Sequence, residues 1–220
     1  MARLDSWRTK IRRPESAAVA GIIFAVILGA VIVLLHNAAP ALPSDAGQWA
    51  DNEGRRDAVS TALNLIPFAG IAFLWFIAVI RAQVGPNEDR FVGTVFLGSG
   101  LVFVAMLFAA AASLKAVLVL QEGGLPPSLE TRAFAWSVGA TLLGSFGARM
   151  AAVFTASVAT VALRSGAVPR WLAYAGYATA LLLLFTPPLT RDTQLLFPAW
   201  ILVLSGFLLT GRHTREPANP

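Results

Sequence analysis

The stretch "SAAVAGIIFAVILGAVIVLLH", residues 16–36, decides the fold class of this chain because it contains no charged side chain. An apolar run of this length matches the roughly 20 residues that an α-helix needs to cross the hydrocarbon core of a bilayer. Strands of a membrane β-barrel are about 10 residues long and alternate in polarity, which this stretch does not. It therefore predicts a transmembrane helix.

A cleaved signal peptide is the alternative interpretation of the same stretch. The basic residues before it fit, and "APA" at 39–41 resembles a small-residue cleavage site. However, the apolar part is longer than the usual 7–15 residues or so of a signal peptide. We therefore expect the stretch to be retained as the first span.

The rest of the chain repeats this pattern. Of its 220 residues, 56% are hydrophobic and 13% are charged, whereas a soluble domain averages about 25% charged residues. We predict an all-α, polytopic helical bundle with six transmembrane helices and no separate soluble domain. The predicted parts are a basic N-terminal segment (1–15), a transmembrane domain (16–211) with spans at 16–36, 58–80, 91–114, 133–163, 168–186 and 194–211, and a tail (212–220).

Charge asymmetry predicts the orientation of the spans. Five basic residues flank the spans on one side, namely Arg55, Arg56, Lys115, Arg132 and Arg191. Eleven flank them on the other side, namely Arg3, Arg8, Lys10, Arg12, Arg13, Arg81, Arg90, Arg164, Arg170, Arg212 and Arg215. Since cytoplasmic loops carry the excess of Lys and Arg, we predict a multi-pass protein of the cell (inner or plasma) membrane with both termini in the cytoplasm.

Composition argues against several classes of function. The net charge of +5 comes from residues at the ends of apolar runs, a membrane-anchor pattern, so we expect no nucleic-acid partner. There is no cysteine, the spans contain no Asp or Glu, and His36 and His213 lie at opposite faces of the membrane. Groups that transfer protons, attack a substrate or hold a metal are therefore missing from the spans. We predict no cofactor, no metal, no catalytic residue and no enzymatic activity.

The first external loop contains a group of acidic residues that suggests a cation site, namely Asp45, Asp51, Glu53 and Asp57. Their spacing lacks the alternating ligands and the terminal glutamate of an EF-hand, and two neighbouring arginines offset their charge. We predict a solvated loop in which Trp49 lies at the membrane interface.

Two longer stretches carry a resemblance. "IPFAGIAFLWFIAVIRAQVGPNEDRFVGTVFLGSGLVFVAMLFAAAA", residues 66–112, resembles an uncharacterised group of actinobacterial integral membrane proteins. "RSGAVPRWLAYAGY", residues 164–177, is similar to a junction in other bacterial multi-span families of unknown function. The resemblance implies a small polytopic membrane protein of bacterial type, and it supplies no activity, substrate or catalytic residue.

Small residues recur at four-residue spacing in two spans. One stripe lies in the first span, at Ala17, Gly21, Ala25 and Gly29. Another lies in the fourth span, at Ala140, Gly144, Ala148, Ala152 and Ala156. Such stripes let helix backbones approach closely in lipid. They predict packing within the bundle, and a homo-oligomer face on the first span is the alternative.

Arg149 is the exception to the apolar pattern of the spans. It lies 17 residues after Arg132 and 15 before Arg164, which places it roughly 26 and 22 Å from these polar ends. An arginine at the bilayer centre costs about 2.5–3.5 kcal/mol on insertion scales. We therefore expect it to face the interior of the bundle.

A line of hydroxyl groups leads to this arginine along the fourth span, at Ser137, Thr141 and Ser145. We expect the line to face the bundle as well, because lipid offers hydroxyl groups no partner. Residues of other spans at matching depth extend it into a mid-membrane polar layer. The candidate members of this layer are Arg149, Ser145, Thr141, Ser99, Thr179, Ser205 and Asn64.

Two interpretations of this layer lead to two classes of function. Arg149 either pins the helices together through hydroxyl and carbonyl groups, or it faces a water-filled cavity and binds an anion. The first suits a non-catalytic accessory, assembly or regulatory protein with a membrane-protein partner. The second suits a small transporter or channel for an anionic or amphipathic solute.

Overall fold

The computed structural model describes residues 14–39, 45–83, 90–166, 168–185 and 191–210. The predicted N-terminal segment (1–15) and tail (212–220) lie outside these ranges, except that residues 14 and 15 begin the first helix.

The described chain is helical throughout, with no strand in these ranges, so the predicted all-α class is confirmed. A short 3-10 helix, Gln48–Ala50, lies in the loop between the first two long helices. The six long helices are α1 Pro14–Ala38, α2 Glu53–Gln83, α3 Arg90–Glu122, α4 Leu129–Ser165, α5 Arg170–Phe185 and α6 Arg191–Thr210.

Five of these helices are long and apolar enough to cross a membrane, which is the organisation of a multi-pass membrane protein. The exception is α5, which has 16 residues and falls just below the roughly 17–25 residues of a span. Two helices extend beyond the predicted spans. α2 begins at Glu53 and α3 continues to Glu122, because a helix keeps its backbone hydrogen bonds beyond the hydrocarbon core, where polar side chains are hydrated.

The helices form a closed ring. Each packs against its neighbours in the chain, and α6 packs against α1 to complete the circle. The contact between α1 and α2 is the most extensive one, and α4 lies between α3 and α5. The surface of α4 that points away from the ring is therefore the one that no other described helix covers.

Phenylalanine side chains fill the interior of the ring. Five of the six helices contribute to this phenylalanine cluster, which consists of Phe24, Phe73, Phe76, Phe96, Phe103, Phe154 and Phe197. None is more than 4% exposed, and the centroids of neighbouring rings lie 4.4–6.5 Å apart. Such offset and edge-to-face pairs add to the packing energy of a core.

The small-residue stripe of the first span packs within this ring. Ala17, Gly21 and Ala25 are buried. A Cβ atom at Gly21 would collide with Oγ of Ser205 on α6 and lie 2.9 Å from the Phe76 ring of α2. The predicted packing role is confirmed. At Gly21, the surface that the alternative assigned to a homo-oligomer is covered by α2 and α6 of the same chain.

The loop between α1 and α2 is packed more tightly than predicted. Trp49 is 0% exposed and its ring centroid lies 5.8 Å from that of Trp136 on α4. Asp51 of the same loop forms an ion pair with Arg132 of α4, and Gln121 of α3 donates a hydrogen bond to the loop at Ala50 O. The prediction of a solvated loop is wrong for this part of the chain, because the loop folds back onto the ends of α3 and α4.

Candidate functional site

Arg149 lies on the outward face of α4 and is exposed. Its Nη1 donates to the backbone oxygen of Ser145 at 2.8 Å and to the Ser145 hydroxyl at 2.7 Å. The prediction that Arg149 faces the interior is therefore wrong. The phenylalanine cluster occupies the interior, where a guanidinium would lose water without gaining an acceptor.

A π-helical turn, Leu142–Gly147, immediately precedes this arginine within α4. A π-turn widens the hydrogen-bond register from i+4 to i+5, which leaves a backbone carbonyl short of its usual donor. The guanidinium of Arg149 supplies a donor to one carbonyl of this turn, that of Ser145. Nothing in the sequence analysis anticipated the turn, although two glycines three positions apart, Gly144 and Gly147, weaken the α-helical preference there.

The polar line that leads to Arg149 also faces outward. Ser137 and Thr141 are exposed and Ser145 is half-buried, so the prediction that this line faces the bundle is wrong. The face of α4 that meets α3 contains small residues such as Gly139, where a Cβ atom would lie 3.2 Å from Ser113 Oγ and 3.4 Å from Leu114 Cγ. Exposure costs the Ser137 hydroxyl little, because it donates to Ala133 O of its own helix at 2.8 Å.

The remaining members of the predicted layer do not join Arg149. Ser99, Thr179 and Ser205 are buried in three different helices, while Asn64 is exposed on α2. Within the described ranges, no hydrogen bond links any two of these four residues. Ser99 donates to Val95 O of its own helix at 2.7 Å. The only predicted members that the structure brings together are Arg149 and Ser145.

Ser205 is a buried polar group of another kind. Its side chain is 0% exposed, and its hydroxyl has no hydrogen-bond partner among the described residues. It lies at the close approach of α6 to Gly21 of α1. We interpret it as a small residue of the helix interface, because its side chain lies against Gly21 of α1.

Polar contacts between helices that the sequence analysis missed support the ring. The hydroxyls of Thr160 and Tyr177 lie 2.8 Å apart between α4 and α5, and Trp200 Nε1 of α6 donates to Leu172 O of α5 at 3.3 Å. The signal of the Thr160 contact in the sequence is weak, because a Thr hydroxyl in a span bonds equally well to its own helix, as Thr160 also does to Ala156 O.

The loop between α1 and α2 does not assemble its acidic residues into a cation site. Asp51 pairs with Arg132, and Glu53 lies 3.9 Å from Arg56. Within the described ranges, no group of three or more His, Asp or Glu side chains could hold a metal ion. A nearby pocket of about 310 Å³ carries both signs of charge and is lined by Arg56, Asp57, Ser60, Leu118, Gln121 and Glu122.

Comparison of the chain with protein-family models, with curated proteins and with solved structures gives no match. The geometry of Arg149 is therefore the main guide to function. An exposed guanidinium that uses one nitrogen on Ser145 keeps Nε and Nη2 for a further acceptor. It can bind one carboxylate or phosphate group through the planar fork of its remaining N–H donors.

Proposed function

We propose that this chain is a non-catalytic accessory, assembly or regulatory subunit that acts inside the membrane through its outer helix surface. The observation that carries the proposal is the contrast between its interior and its surface. The interior is filled by the phenylalanine cluster, while a charged side chain lies on the outside of α4. Intramembrane charges mark functional contacts, and an outward charge suits a contact with another molecule.

The alternative function, a small transporter or channel, requires a wet cavity that reaches Arg149 from within. Its support is weaker, because Arg149 points away from the ring and the buried hydroxyls of Ser99 and Thr155 bond to their own helices. The pocket of about 310 Å³ is lined by residues from the start of α2 and the end of α3, and Arg149 is not among them.

The experiment combines purification with a flux measurement. Solubilised in mild detergent from its own cells, the protein should co-purify reproducibly with the same membrane protein in amounts close to one to one. The purified chain alone should not raise anion efflux from proteoliposomes above that of empty vesicles. Anion efflux by the purified chain, with no reproducible partner, would favour the transporter.

The same proposal includes the placement of the chain in the cell membrane, with both termini in the cytoplasm. It rests on the excess of basic residues on one side of the spans and on the resemblance to bacterial multi-span proteins. A C-terminal alkaline phosphatase fusion should be inactive and a green fluorescent protein fusion should fluoresce, whereas an active phosphatase would refute this orientation.

A further inference from the structure

The exposed polar line of α4 is the strongest unassigned feature of the molecule. It consists of Ser137, Thr141, Ser145 and Arg149, and ends at a charge near the middle of the span. The described part of the chain gives Arg149 acceptors on Ser145 alone. A guanidinium facing hydrocarbon in this state is unfavourable, so something covers this face in the working protein.

A lipid headgroup does not fit this position. Arg149 lies roughly 22 Å along the helix from Arg164, its nearer polar end. The half-thickness of the hydrocarbon core is about 15 Å, and an arginine side chain reaches roughly 6 Å toward an interface. The guanidinium therefore remains below the phosphate layer unless the bilayer deforms.

A second copy of this chain does not fit either. Every Asp and Glu of the sequence lies outside the predicted spans, so a copy has no carboxylate at the depth of Arg149. In a two-fold symmetric contact through this face, the same surface of each copy is used and two Arg149 side chains approach each other. Like charges in a medium of low dielectric constant repel strongly.

We propose that this face of α4 binds a transmembrane helix of a different protein, and that this helix carries an Asp or Glu at mid-membrane depth that pairs with Arg149. The inference rests on the proposed function and names the chemistry of its partner. A carboxylate accepts the two parallel N–H bonds that the guanidinium fork still offers. The hydroxyls of Ser137 and Thr141 add polar contacts along the same line, and exposed Phe146 lies beside Ser145.

The first test measures charge pairing with a defined probe. Because the chain contains no cysteine, a single label can be attached through Leu125→Cys at an exposed site between α3 and α4. The labelled full-length protein is reconstituted with Leu/Ala-rich transmembrane peptides that carry Asp, Asn or Leu at the centre. Energy transfer then reports association in the bilayer.

We expect the Asp peptide to associate about 3- to 30-fold more tightly than the Leu peptide. Arg149→Leu should abolish this preference and Arg149→Lys should retain part of it. Arg164→Leu, a matched control at the exposed end of the same helix, should leave it unchanged. Equal association of all three peptides, or a preference that survives in Arg149→Leu, overturns the inference.

The second test separates this inference from the proposed function. A photo-crosslinking amino acid replaces Thr141 on the proposed face or, as a control, exposed Val26 of α1, in membranes of the protein's own cells. We expect position 141 to capture one membrane protein with an Asp or Glu inside a predicted span, and Arg149→Leu to abolish the adduct.

The other outcomes are equally decisive. A protein captured only from position 26 refutes this binding face, and a protein captured at position 141 independently of Arg149 refutes the charge pairing. Both outcomes leave the proposed function standing. An Arg149-dependent adduct with lipid alone refutes the protein partner. The absence of any protein adduct at both positions, together with no co-purifying protein, refutes both proposals.

Discussion

The sequence predicts where Arg149 lies along its helix, but it does not predict which way the side chain points. Its position between Arg132 and Arg164 follows from counting residues along a helix. Whether it points into or out of the ring depends on the rotation of α4 about its axis, which the small residues facing α3 determine. The position of Arg149 along the helix could therefore be predicted, whereas the direction of its side chain required the packing of the neighbouring helices.

Gly21 is constrained by its neighbours, and this gives a prediction with a matched control on the same helix. A side chain at Gly21 would meet Ser205 and Phe76, whereas nothing lies within 4 Å of a Cβ at Gly29. Gly21→Val should lower the free energy of unfolding by about 1–3 kcal/mol through overpacking. Gly29→Val should change it much less.

Thermal melting of the two variants in the same detergent gives the measurement. Both substitutions make the same change in helix propensity, so the difference between them isolates the close approach of α1 to α2 and α6 at Gly21. Equal melting temperatures would contradict the close approach at Gly21.

At the scale of elements, the sequence predicts which segments are helical because apolar length alone selects a span in lipid. All six predicted spans correspond to described helices, but the ends of α2 and α3 lie beyond the predicted limits. The π-turn was missed, because its one extra residue changes neither the hydrophobicity nor the length of the apolar run. The buried Trp49 was missed because its partner, Trp136, lies far away in the sequence.

The π-turn predicts an unusual tolerance to deletion. It holds one more residue than an α-helical turn, so deletion of exposed Phe146 can restore the α-helical register while the flanking parts of α4 keep their faces. Deletion of Ala156, in the regular part of α4, would rotate the following residues by roughly 100°. That rotation would remove buried Val158 and Ala159 from the ring.

We therefore expect the Phe146 deletion to melt at a clearly higher temperature than the Ala156 deletion. Size-exclusion chromatography and thermal melting of both purified variants check this. If the two deletions are equally damaging, the turn does not act as a removable insertion.

At the scale of the whole molecule, the phenylalanine cluster at the centre stabilises the ring of helices. Phe73 of α2 contacts Phe24, Phe103, Phe154 and Phe197, so one side chain touches the rings of four other helices. No feature of the sequence identifies these particular phenylalanines among the 14 in the chain, because the selection depends on which faces converge.

Truncation of Phe73 should destabilise the folded protein. Phe73→Ala should lower the free energy of unfolding by about 3–5 kcal/mol, because it leaves a cavity among rings from several helices. Phe68→Ala is the matched control, since Phe68 is on the same helix and is 61% exposed. Unfolding by denaturant in micelles measures both, and a Phe73→Ala variant as stable as Phe68→Ala would show that the centre is loosely packed.

The contact between α1 and α6 forms late, because the two helices are synthesised at opposite ends of the chain. Gly21 enters the membrane early, while Ser205, which covers it, is translated about 180 residues later, or roughly 10–40 seconds at about 5–20 residues per second. During this interval, the side of α1 that α6 later covers is open to any other nascent helix with a similar stripe. A ribosome that stalls before α6 therefore leaves a chain in which Gly21 and its neighbours on α1 lack the helix that covers them in the finished protein.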